Sequence, residues 1–117
     1  MLFQLRRNDG TADPYSSGTF VDARGRARHL AREEFALEAA GWWTSAKTGT
    51  RYPTAWRVKA PSLGLDLECR AALDAQEMPA EGLGGPAYWE GAVVYSGSAR
   101  GTGYLEMTGY DKKVVLD

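Results

Sequence analysis

Two glutamates set among aromatic residues, Glu90 and Glu106, are the best candidates for moving a proton. Burial among aromatic rings disfavours a charged carboxylate, so such a group can become a general acid near neutrality. The two-residue period of an extended strand argues the other way. Glu90 falls opposite Trp89, Gly91 and Val93, and Glu106 falls opposite Leu105 and Met107. If the apolar residues face inward, both carboxylates face outward and bond to neighbouring strands. His29 is the only histidine, so a histidine-based metal site would need carboxylates alone as co-ligands. The expectation for His29 is a surface strand position, with no metal and no cofactor. Cys69 shares a face with Leu65, Leu67 and Leu73 and has no basic neighbour in sequence to make a thiolate. It reads as a small buried hydrophobe. The serines lack a nucleophile elbow, and Gly101-Thr102-Gly103 lacks the remainder of a phosphate loop.

Trp56, Trp89, Tyr95, Tyr104 and Tyr110 are wide side chains that could line a lumen for a long apolar ligand. They could equally fill a small barrel and close it. The adjacent pair Trp42-Trp43 cannot both face inward in a regular strand, which puts one of them at a rim or an interface. Arg24, Arg26, Arg28 and Arg32 form a basic cluster, joined in sequence by Arg6 and Arg7. It reads as a solvated outer face, or as a surface that docks on a first domain of the same parent or on an acidic partner.

Such residues need strands to position them, and the composition supplies strands. The 117 residues carry 14 basic and 15 acidic side chains, a net charge of -1 that excludes a generally basic nucleic-acid binder. A single cysteine excludes an internal disulfide framework. No run approaches the roughly 18 apolar residues of a membrane span, and no signal pattern is visible. Fourteen glycines and 13 aromatics favour turns and strands over helices. Strands are expected at 2–7, 19–22, 26–30, 56–60, 65–73, 88–97 and 102–110, with a hairpin turn at Arg24-Gly25. Residues 30–40 have helical propensity but also a period-two pattern in Phe35, Leu37 and Ala39, and the expectation is a strand with a polar lead-in. Residues 74–86 read as a linker and the tail from Asp111 is uninformative. About eight strands in series predict one all-β antiparallel domain, as a sandwich or a barrel.

Three segments resemble a known family. Tyr52-Pro53-Thr54-Ala55-Trp56, Tyr88-Trp89-Glu90-Gly91-Ala92-Val93, and Gly101 through Tyr110 are similar to the lipocalin-like C-terminal domain of the AttH-like family. Trp43-Thr44-Ser45 with Thr48-Gly49, and the spacing from Asp9-Gly10 to Ser17-Gly18, extend the likeness over nearly the whole chain. That family includes the carotenoid 1,2-hydratases, or hydroxyneurosporene synthases, and many predicted secreted hydrolases. The resemblance implies an antiparallel lipocalin-like β-barrel of about eight strands, residues 1–117 forming one such domain. It also implies a parent with a second, N-terminal barrel, in a secreted, periplasmic or membrane-associated setting. No catalytic residue of the family is placed on this sequence by motif.

Three functions follow as expectations. The first is binding of an apolar ligand such as an isoprenoid or lipid. The second is a share in a hydratase- or hydrolase-type site completed by the N-terminal barrel. The third is a filled barrel that docks that partner. Studied alone, the domain is expected to form a homodimer or a larger species.

Overall fold

The computed structural model describes residues 1–79 and 85–111. Gly82 and Gly84 of the expected linker, and the tail beyond Asp111, lie outside the described residues. Among the described residues nine strands form: β1 (Leu2–Phe3), β2 (Ser17–Val21), β3 (Ala27–Ala31), β4 (Ala36–Thr44), β5 (Arg51–Ala60), β6 (Leu65–Ala71), β7 (Glu77–Met78), β8 (Tyr88–Gly97) and β9 (Gly101–Met107). All pairings are antiparallel. Single 3-10 turns at Arg32–Glu34 and Pro61–Leu63 are the helical content of the described residues.

The first three strands make a small sheet in the order β1-β2-β3. Its hairpin falls at Arg24-Gly25 because the Asp22 carboxylate accepts from the backbone N–H groups of Arg24 and Arg26, while Gly25 takes a positive φ of 79°. The expected strand over 2–7 shrinks to two residues, with a separate bridge from Arg6 to Ala12. Between them Asp9 accepts from both the N–H and the hydroxyl of Thr11, a local turn that competes with strand pairing.

The second sheet has six strands, running β4-β5-β6-β8 with β7 and β9 also on β8. β9 occupies one side of β8, so β6 and β7 share the other. β7 therefore continues the track of β6 after an interruption at 72–76. Residues 36–44 are a strand despite their alanines and glutamates, because pairing along β5 and partial burial of Leu37, Gly41 and Trp43 outweigh helix propensity. The polar lead-in is the 3-10 turn, where the Glu34 carboxylate accepts from the N–H of Ala31.

Alternation assigns the faces. Cys69 on β6, Trp89 and Val93 on β8, and Met107 on β9 point inward with Tyr52 and Val58 of β5. Partly buried Leu37, Trp43, Trp56, Leu67, Ala71, Tyr95 and Leu105 pack around them. A second cluster of Leu30, Phe35 and Ala60 joins the small sheet to the large one, and Leu2 and Leu37 touch both clusters. Trp89 and Val93 are 0% exposed although the only other layer of described residues is a three-stranded sheet. The six-stranded sheet must curl over them to achieve this. β4 and β9, its outermost strands, are not paired with each other among the described residues. What holds firmly is thus an antiparallel all-β fold.

The outer face of β4, β5 and β6 is charged and matched. Glu38, Arg57 and Glu68 lie directly across from one another, as do Lys59 and Asp66. Arg57 also makes a two-pronged pair with Asp66 at 3.0 and 2.9 Å.

Candidate functional site

The break in the β6 track creates the most densely bonded polar cluster of the described residues. β6 pairs with β5 only as far as Ala55, so the start of β5 loses its neighbour on that side. Pro53 sits in this stretch, where a missing backbone donor is tolerated. Its carbonyl accepts from the Trp56 indole at 2.8 Å. The gap is spanned by a side chain instead of a ladder. Glu77 of β7 reaches toward the β4–β5 hairpin, taking the Ser45 hydroxyl on one oxygen at 2.6 Å. Its other oxygen accepts from Thr48 at 2.7 Å and from the Tyr52 phenol at 2.8 Å.

The hairpin itself is built for this. Ser45 accepts the N–H groups of Lys47 and Thr48 while its own proton goes to Glu77. Gly49 takes a φ of 73° and lets the chain turn back. Thr48 has one hydroxyl proton, which goes to the carboxylate as the stronger acceptor. Thr50, 2.9 Å away, then turns its proton toward Thr48 or toward Asp111, which it meets at 3.2 Å. The other Asp111 oxygen accepts the N–H of Ala87.

Aromatic rings frame these polar groups. Trp43 stacks on Tyr52 at 6.3 Å, and Tyr110 tilts against Tyr52 at 5.9 Å. The Arg6 guanidinium lies 4.0 Å over the Tyr110 ring. Burial first, then the Glu77 charge it donates to, pushes the Tyr52 phenol far above its usual range. For Glu77, burial pushes upward, but the three hydroxyl donors outweigh it and hold the carboxyl below its usual value. The pair is thus a neutral phenol bound to an ionised carboxylate. A general acid at neutral pH needs the opposite shift, so this carboxylate anchors and orients rather than donates a proton.

The structure disperses the other expected residues. Glu90 and Glu106 are direct cross-strand partners on the outer face. Tyr104 is 64% exposed on that same outer face, away from the core. Trp89 is fully buried, its indole donating to the Asp74 carbonyl at 2.7 Å. Trp56, Tyr95 and Tyr110 are partly buried against the core cluster with it. Tyr95 is raised to about 12 by burial and by contact with Cys69, whose thiol is itself pushed up by burial. Trp42 is 48% exposed under the Arg51 guanidinium at 4.8 Å, whereas Trp43 packs inward. His29 is exposed on β3. Among the described residues no group of three or more His, Cys, Asp or Glu could hold a metal, and no helix is long and apolar enough to cross a membrane.

Glu77 fell in a stretch read as linker, so sequence reasoning passed over it. Nothing near it in the sequence marked it, because its partners Ser45, Thr48 and Tyr52 lie 25 to 32 residues earlier along the chain.

Together these features define an all-β antiparallel domain with an apolar inner face and a carboxylate-anchored hairpin at one end. The AttH-like family model matches residues 1–110, and the chain belongs to that family. The crystal structure of a candidate AttH protein from Nitrosomonas europaea superposes with a TM-score of 0.80 at 32% identity. The match covers 92% of this chain and 33% of that one, so this chain spans about a third of that relative's length. No curated protein matches the sequence.

Proposed function

We propose that this chain is a lipocalin-like binding domain whose inner sheet face takes an apolar ligand such as an isoprenoid or lipid. In this reading residues 1–117 are the C-terminal module of a two-barrel parent, and β4 and β9 are the edges that barrel closure brings together. The observation that carries the proposal is the row of only partly buried apolar side chains on the inner face. Trp43, Trp56, Leu67, Tyr95 and Leu105 pack on a small, fully buried centre yet keep some surface uncovered. Apolar surface arranged this way is what a flat, flexible hydrocarbon recognises. The anchored state of Glu77 favours binding over proton-transfer chemistry in the isolated chain.

The test is titration of the chain with all-trans-retinol and, separately, with oleic acid, following tryptophan emission. Saturable quenching or shift by either probe is expected, lost in Trp56→Ala and kept in Glu77→Gln. No response to either probe from a natively folded chain would overturn the proposal.

One observation favours a second reading, a structural module that docks the rest of its parent. Two open clefts, of about 380 and 340 Å³, lie away from the Trp43, Trp56 and Tyr95 side chains. One is lined by Arg57, Asp66 and Glu68 of the outer face, the other by Gln4, Arg32 and Phe35.

A further inference from the structure

The outer face of the large sheet is electrostatically divided. On β4, β5 and β6, Arg57 lies between Glu38 and Glu68, and Lys59 lies across from Asp66, while Arg51 and Arg70 face neutral residues. On β8 and β9, Glu90 lies directly across from Glu106, and neither joins a salt bridge among the described residues. Like charges in that position repel, and the donor that reaches Glu90 is an uncharged one, the Tyr88 hydroxyl. Apolar and aromatic surface surrounds them: Tyr104 and Val94 are strongly exposed, and the Tyr88 hydroxyl is 3.5 Å from the Glu90 carboxylate. A guanidinium laid here would neutralise both carboxylates and stack on a tyrosine ring.

The same chain carries the complement. Residues 1–32 hold six basic and three acidic side chains, whereas residues 33–117 hold eight and twelve. The basic end projects at the β2–β3 hairpin, where residues 23–29 are all exposed. Arg24 makes no salt bridge among the described residues. Arg26 pairs with Asp22 and Arg28 with Glu34, but both pairs are solvent-exposed and so readily exchanged. A net charge of only -1 leaves little overall repulsion between copies.

We propose that a second copy of this chain docks its Arg24–Arg28 hairpin on the outer face of β8 and β9, around Glu90, Tyr104 and Glu106. Two such contacts made reciprocally close a dimer; made head-to-tail, they extend a chain. Arginine and tyrosine are the residue types that interfaces favour.

Analytical ultracentrifugation of the chain tests this. At low salt the mass should rise from 12.8 kDa toward at least twice that value between about 10 µM and about 1 mM, and fall back in high salt. Glu90→Lys/Glu106→Lys should be monomeric, and so should Arg24→Glu/Arg28→Glu. Mixing the two variants should restore association, because each then presents the charge the other lacks. Should the lysine variant misfold by circular dichroism, Glu90→Gln/Glu106→Gln should still weaken association several-fold. A monomer throughout the range overturns the proposal, and if that monomer binds hexa-arginine on this face, the surface belongs to a foreign basic segment. Association indifferent to both charge reversals overturns it equally.

Discussion

At the scale of single residues, Glu77 matters most because one carboxylate holds a hairpin, a strand and a buried phenol. Its carboxyl is held below its usual range by three hydroxyl donors working against burial. A lowered folded value means the stabilisation is complete above the unfolded pKa and is lost as pH falls through the folded one. Stability should therefore decline below about pH 4.5. Other carboxylates contribute to that decline, so the informative quantity is the difference between Glu77→Gln and the parent. The variant should cost about 1–3 kcal/mol at pH 7 and the gap should close in acid, as read by urea unfolding at several pH values. An equal gap at all pH values would remove the charge from the explanation. Cys69 gives a second prediction. Its thiol is buried and its pKa raised by that burial, so a thiol reagent at pH 8 should react with it only at the rate of unfolding. Fast labelling of the folded chain would contradict the packing.

At the scale of elements, the turn from β8 into β9 depends on one backbone conformation. Gly97 has a φ of 113°, and a Cβ there would sit 2.6 Å from the carbonyl oxygen of Asp66. Ser98 locks the same point, exchanging bonds with Asp66 through its N–H and its hydroxyl. Gly97→Ala should lower stability by about 1–3 kcal/mol through strain at both places. Gly25→Ala, with a φ of 79° but open space around it, should cost only about 1 kcal/mol. Thermal melts of the two variants separate crowding from conformational cost, and equal losses would show that the close approach to Asp66 is relaxed.

At the scale of the whole molecule, two apolar clusters share Leu2 and Leu37. This coupling should make the small and large sheets unfold together. Leu37→Ala should destabilise the chain by about 2–4 kcal/mol while leaving a single transition, seen alike by tryptophan fluorescence and circular dichroism. Two separated transitions in the parent chain would mean that the small sheet folds on its own. The division of charge between the first 32 residues and the rest also belongs to this scale, since it concerns how one copy meets another.

The sequence by itself determined the all-β class, because the period-two pattern of Leu65, Leu67, Cys69 and Ala71 and the turn residues at Arg24-Gly25 act locally. It also carried the family, through the tryptophan, glycine and tyrosine motifs of β5, β8 and β9. The same alternation put Glu90 and Glu106 on the outer face. It did not reveal that they face each other, because cross-strand register depends on the length and geometry of the turn between β8 and β9. Residues 36–44 could be assigned to a strand only against their own propensity, since a partner strand supplies the stabilisation. Glu77 was illegible for the same reason. Its neighbours in sequence say linker, while its three hydroxyl partners come from a hairpin 25 to 32 residues earlier. Only the tertiary structure, by breaking the β6 track and leaving the start of β5 without a neighbour, gave that carboxylate a position to fill.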